Sequence, residues 1–395
     1  MATITFPDGF VWGTATAAHQ VEGGNWNSDW WAFEHAEGTP CAEPSGDACD
    51  QYHRYRDDVA LLAGLGFNAY RFSLEWARIE PEEGEFSSAA LDHYRRVCAA
   101  CQEHGITPVV TFHHFSSPRW LAARGGWAEP ATADLFARYC TRAAGHLGDL
   151  IGWACTINEP NMVALGGYLA GQFPPGVRDV GLRRKVNEVF VDAHRKGVEA
   201  IRSTAPSSVP VGLTLAMQEH VAVGGEAAES KLDRIRRGSE DVFLDAVAGD
   251  DFIGVQTYSR MRVGPDGALG PEDGVETTQM GYEFWPEALE ACIRRAWTYT
   301  DGVPVMVTEN GISTADDSRR VEYVRRALAG VGRCLADGID LRGYMYWSAL
   351  DNFEWALGYM PQFGLIGVDR ASQERTPKPS ASWLGGIAKA NTADV

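Results

Sequence analysis

Short runs of apolar and β-branched residues recur along the chain, and each is followed by a stretch with helical spacing. The runs are "FVWGTAT" (10–16), "AYRFSL" (69–74), "TPVVTFH" (107–113), "WACTIN" (153–158), "PVGLTLA" (210–216), "FIGVQTY" (252–258), "VMVTEN" (305–310) and "LRGYMYWS" (341–348). Most do not alternate cleanly between apolar and polar positions. Strands with one wet face alternate; strands buried on both faces do not, and parallel sheets covered by helices require the second kind.

Between the runs lie amphipathic segments. "ADLFARYCTRAAGHL" places Leu135, Phe136, Tyr139, Cys140, Ala143 and Leu147 on one helical face, and "NEVFVDAHRKGVEAI" does the same with Val189, Phe190, Ala193, Val198 and Ile201. "RRVEYVRRALAGVGRCLAD" keeps that spacing through Val321, Val324, Leu328, Val331 and Leu335. Pro286 opens "WPEALEACIRRAW", and proline suits a first helical turn. A strand-then-helix unit repeated eight times predicts an α/β fold, a (β/α)8 TIM barrel. Polar insertions at 34–52, 172–184 and 218–245 predict extended βα loops. The chain has no Pro/Ser-rich linker and no break in composition, so residues 1–395 are expected to form a single domain.

Composition narrows the partners. The chain is 45% hydrophobic and 22% charged, and its 395 residues are enough for a large core. A net charge of -18 disfavours phosphate backbones and anionic lipid, so neither nucleic acid nor a membrane surface is an expected partner. The start "MATITFPDGF" lacks the basic and apolar regions of a signal peptide, and no apolar run is long enough to span a bilayer. Cys98 and Cys101 form a CxxC, but they share a helical face with Leu91 and Tyr94 and read as buried thiols rather than a zinc or redox pair. Reduced cysteines and no signal peptide predict a cytoplasmic protein.

Barrel chemistry gathers where strands end and βα loops begin. Those places hold His19, Gln20 and Glu22; Arg71 and Glu75; His113 and His114; Asn158 and Glu159; Gln256 and Tyr258; Glu309 and Asn310; and Trp347, followed by Asp351, Asn352, Glu354 and Trp355. Carboxylates and amides suit the hydroxyls of a polyol, and indole faces suit the C–H side of a sugar ring. Glu159 and Glu309 close strands on opposite sides of the barrel. Two carboxyls facing one cavity suit glycosidic bond cleavage, one giving a proton to the leaving oxygen and the other attacking or activating water. Arg71 by charge and Tyr258 by hydrogen bonding could hold one of them ionised. Which glutamate takes which role is open at this level. Taken alone, Glu159 could be a solvated strand end and His114 a core histidine; their position among the other strand tips favours function. His113 is expected to be structural, as are Glu22 and Glu75, and Trp30, Trp31, Trp120 and Trp127 are expected to pack or lie at the rim.

The segments "FVWGTATAAHQVEG" (10–23), "YRFSLEWARIEPEEG" (70–84), "TINEP" (156–160), "VTENG" (307–311) and "WSALDNFEWALGY" (347–359) followed by "FGLIGVD" (363–369) resemble glycoside hydrolase family 1, the β-glucosidase family, in order and spacing over essentially the whole chain. The resemblance implies Glu159 as acid/base, Glu309 as nucleophile, and Arg71 and Tyr258 beside the nucleophile. It implies that Asn158 meets the sugar 2-hydroxyl, and that Gln20, His114, Trp347, Glu354 and Trp355 hold the glycone. It further implies retention of anomeric configuration through a covalent glycosyl-enzyme intermediate, with carboxyls about 5–5.5 Å apart, and no metal or cofactor. The expected partner is a small-molecule β-glycoside, with glucose, galactose or fucose as the glycone. The alternatives are a transglycosylating β-glycosidase that prefers an acceptor other than water, or a sugar-binding protein that has lost catalysis; the presence of both glutamates disfavours the latter. A 6-phosphorylated sugar is disfavoured because Glu354 would repel phosphate. Three departures stand out. Phe115 and Ser116 replace the family's Trp and Asp after the third strand. Gln256 replaces an Asn in the sixth and is expected to reshape the acceptor side. Asn161 follows "NEP" in place of an aromatic.

Overall fold

The computed structural model describes residues 3–395. Eight parallel strands close into a barrel: β1 (Val11–Ala15), β2 (Ala69–Ser73), β3 (Thr107–His113), β4 (Trp153–Asn158), β5 (Val211–Ala216), β6 (Phe252–Gln256), β7 (Val305–Asn310) and β8 (Leu341–Trp347). Chain order and spatial order coincide, and β8 pairs with β1 to leave no open edge. Parallel neighbours need crossovers, and a helix follows every strand: Gln51–Leu65, Ser88–Glu103, Thr132–Leu147, Val180–Thr204, Glu226–Arg236, Ala288–Tyr299, Asp317–Ala336 and Pro379–Ala390. The (β/α)8 architecture read from the hydrophobic pattern is the observed one.

Local chemistry sets the helix ends. The Ser87 side chain accepts from the Ala90 amide, Asp179 from Leu182, and Asp316 from Ser318, each satisfying a donor that the first turn leaves free. Helix Thr132–Leu147 buries Phe136, Tyr139, Cys140, Ala143 and Leu147 as its spacing predicts, with Leu135 half-buried at the margin of the stripe. Two details differ. Pro286 lies in the turn before its helix, which starts at Ala288. The buried stripe of helix Asp317–Ala336 is Tyr323, Val324, Ala327, Leu328, Val331 and Cys334, so Val321 and Leu335 sit at its margins.

The insertions hold more structure than their polarity suggests. The segment 172–184 runs into the first turn of the 25-residue helix Val180–Thr204. The segment 218–245 contributes strand Glu219–Ala222, which pairs parallel with Arg260–Val263, and helix Glu226–Arg236. Thr3–Thr5 and Thr392–Asp394 pair antiparallel and tie the two ends of the chain together. All eight cysteines are free, and Cys98 and Cys101 are buried as expected. Among the described residues no helix is long and apolar enough to cross a membrane.

The barrel interior has two layers. Val11, Ala69, Val109, Cys155, Phe252, Met306 and Met345 form an apolar plug near the strand starts. Above it the inward positions turn polar, with Arg71 bonded to Thr111 and Thr214 beside Asn158. Space there is tight. A Cβ on Gly254 would meet the Thr214 methyl at 2.6 Å and the Thr308 hydroxyl at 2.7 Å, so only glycine lets β6 pass.

Candidate active site

Both strands that lead into an Asn/Glu pair break register near their tips. The pairing of β4 with β5 shifts between Cys155 and Asn158, and that of β7 with β6 shifts between Val307 and Glu309. Side chains alternate faces along a strand, so a local shift turns the next residue to the other face. Met306 belongs to the interior plug and Thr308 packs near Gly254; the shift then brings Glu309 inward as well. At β4, Glu159 takes a left-handed conformation with φ 44° and ψ 56°. Pro160 disfavours the right-handed helical region for the residue before it, and it opens helix Pro160–Leu165. Phe115 (φ 68°) and Trp355 (φ 51°) are left-handed too. Strained non-glycine residues that cluster in this way mark functional sites.

Arg71 organises the floor. Fully buried, it donates to Glu309 Oε1 at 2.6 Å, to Asn158 Oδ1 at 2.5 Å and to Thr111 Oγ1 at 3.0 Å. Tyr258 donates its hydroxyl to the other oxygen of Glu309 at 2.6 Å. Asn158 Oδ1 also accepts from Gln256 Nε2 at 2.8 Å and Thr214 Oγ1 at 3.1 Å. With its oxygen so occupied, Asn158 presents its amide nitrogen, which donates to His114 Nε2 at 3.0 Å. An amide nitrogen can only donate, so Nε2 of His114 accepts and Nδ1 carries the proton. That Nδ1 is buried without a protein partner, as is Oε1 of Gln20. Each is a free hydrogen-bonding group for a ligand.

The aromatic residues form the wall. His114 stacks near Trp347 at 5.7 Å and near Trp355 at 6.1 Å between centroids, and Trp355 packs on Trp30 at 4.6 Å and on Phe115 at 4.9 Å. Gln20 Nε2 donates to the Phe353 carbonyl at 2.7 Å and reaches Glu354 Oε2 at 3.3 Å.

The two glutamates are electrostatically unequal. Burial raises the Glu159 pKa well above the usual carboxylate range, and the charges of Glu309 and Glu354 add to the rise while Arg71 opposes it. No side chain donates a hydrogen bond to Glu159 among the described residues. Burial raises Glu309 too, but Arg71 and Tyr258 pull it back. The proton of the pair therefore sits on Glu159 and the charge on Glu309. Burial and the Glu309 charge push Glu354 up to about 8, with Gln20 opposing. This rise weakens the repulsion of a phosphorylated sugar expected of Glu354. Burial and the nearby Arg71 hold His114 neutral.

Every one of the ten expected site residues lies on this face of the barrel. The expected structural residues are structural. His113 bonds to Ser117 and packs edge-on against Trp127; Glu22 accepts from Tyr94 and forms an ion pair with Arg78; Glu75 caps Ala77. One departure acts differently from expectation, and a second bonds outside the wall. Gln256 points inward and grips Asn158, so it supports the floor rather than reshaping the acceptor side. Ser116 donates to Glu75 at 2.7 Å, away from the wall. Sequence reading missed Thr111 and Thr214, which follow from inward parity on β3 and β5, and Phe173, which packs against Phe115 and Trp30 from the 172–184 insertion and has no local signal.

The profile of glycosyl hydrolase family 1 matches residues 2–263 and 256–393. The chain belongs to this family. Family 1 enzymes are glycoside hydrolases that retain anomeric configuration, and this chain is one of them. It is 32% identical to β-glucosidase A of Thermotoga maritima, over 98% of each chain. It is 34% identical to a bifunctional β-D-glucosidase/β-D-fucosidase of Bifidobacterium breve, over 96% of this chain and 97% of that one. The crystal structure of the β-glycosidase BGL167 superposes with a TM-score of 0.91 at 53% identity, covering 99% of this chain and 98% of the other.

Proposed function

We propose that this family 1 enzyme, acting as a single barrel domain in the cytoplasm, removes the non-reducing terminal β-D-glucose of small β-glycosides and also accepts galactose or fucose. Glu309 attacks the anomeric carbon while Glu159 gives its proton to the leaving oxygen. Glu159 then takes a proton from water, which attacks the same carbon and frees Glu309. Arg71 and Tyr258 keep Glu309 ionised, and Asn158, set by Gln256 and Thr214, offers its amide to the sugar 2-hydroxyl. Gln20, His114 and Glu354 hold the remaining hydroxyls, and Trp347 and Trp355 face the ring. The single observation that carries this reading is the asymmetry of the pair: two donors at 2.6 Å on Glu309 and no side-chain donor on Glu159. The match to a bifunctional glucosidase/fucosidase supports a glycone pocket tolerant at more than one position. The test is incubation with an activated 2-fluoro-glucoside followed by peptide mass mapping. One sugar on the peptide carrying Glu309 is expected; a label on another residue, or turnover with no trapped intermediate, overturns the nucleophile assignment.

A further inference from the structure

A cavity of about 530 Å³ lies beside the sugar-facing wall, and it is not the glycone pocket. Phe115, Trp127, Val163, Tyr168 and Leu182 are among its walls, whereas Gln20, His114, Glu159, Glu309, Tyr258 and Glu354 do not line it. Phe115 is the partition, because the residue that walls this cavity also packs on Trp355 at 4.9 Å and on Phe173 at 5.4 Å. We propose that this cavity is a second binding site, for an uncharged amphiphile with a compact apolar body and one hydroxyl, such as an aromatic alcohol.

Volume and lining both support that class. Small-molecule sites are concave, mostly apolar and about 300–1,000 Å³, with a few placed polar groups. The polar end here is Asp29, with Ser117 and Arg119 beside it. One oxygen of Asp29 accepts from the Trp30 and Ser117 amides at 2.8 Å each; the other accepts from no protein donor among the described residues. Burial pushes Asp29 up to about 8, with the two amides opposing. Its free oxygen is placed to pair with a ligand hydroxyl, and an anionic head group there would meet that oxygen lone pair to lone pair. The surface nearby is apolar as well. Arg119 donates to the carbonyl of Trp26, whose indole is 69% exposed, and Val180, two residues before Leu182, is 70% exposed.

The experiment titrates the full chain with 2-naphthol by calorimetry, beside naphthalene-2-sulfonate as the anionic counterpart, in wild type and in two variants. Leu182→Trp fills the cavity and Ala122→Trp obstructs it from its exposed side. Saturable one-to-one binding of 2-naphthol is expected, at least about tenfold weaker in each variant and for the sulfonate. Turnover of a nitrophenyl β-glucoside is expected to be unchanged in both variants. Lack of saturable binding, equal binding in folded variants, or tighter binding of the sulfonate overturns the proposal. A crystal of the wild-type protein with 2-naphthol decides the location without any variant, and density in the catalytic mouth instead of beside Leu182 also overturns it. The binding arms need no turnover, so they stand or fall separately from the glucosidase reading.

Discussion

The tips of β4 and β7 carry mirrored dipeptides, Asn158–Glu159 and Glu309–Asn310, in opposite surroundings. At β7 the glutamate is clamped by Arg71 and Tyr258, and its asparagine is locked away, donating to the Thr257 carbonyl and accepting from Tyr344. At β4 the arrangement is reversed. The asparagine belongs to the buried network, and the glutamate stands on a left-handed residue without a side-chain donor. The same two residue types thus acquire different protonation states because one carboxyl receives charged and hydroxyl donors and the other receives only a dry wall and two carboxyl neighbours. Donor placement, not the identity of the acid, divides the labour.

The comparison can be broken at either tip. Glu309→Gly removes the proposed attacking group, and kcat/KM is expected to fall by about 10⁴-fold or more in steady-state assays. Glu159→Ala is expected to slow poor leaving groups by about 10²–10⁴-fold. Activated aryl glycosides should suffer far less, with azide restoring turnover of these; equal losses on both substrate types would contradict its role as proton donor. Arg71→Met leaves the Glu309 charge buried and unpaired, a change that costs about 3–5 kcal/mol and is measurable by urea unfolding.

Gentler changes sharpen the comparison. Tyr258→Phe removes one hydrogen bond to a charged group, about 1.5–3 kcal/mol, and should lower kcat by roughly ten- to a hundredfold. It should also shift the acid limb of the pH profile upward, because Tyr258 is one of the donors that lower the Glu309 pKa. The alkaline limb belongs to the other tip. The Glu159 pKa is raised and its proposed role needs the proton, so activity is expected to fall as pH rises through that pKa. In Glu159→Gln, the alkaline limb of kcat/KM for activated substrates should flatten.

Much of this was legible in the chain alone. Eight buried runs alternating with amphipathic segments determined a (β/α)8 barrel, because a sheet covered on both faces leaves no half-wet alternation to misread. The strand-end positions determined which residues share a face, since barrel strands all run the same way and end at the same rim. Tertiary structure decided the rest. The register shift at β7 brings Glu309 to the same interior as Thr308, which strict alternation forbids, and no local sequence rule announces it or the shift at β4. Gln256 turned out to hold Asn158 from below because its length matches a distance between strands, a quantity absent from the sequence. Phe173 reached Phe115 from a distant insertion for the same reason. Periodicity and residue type are local and survive in one dimension. The difference in protonation between Glu159 and Glu309 depends on burial and on donors from β2 and the end of β6, which meet only when the barrel closes.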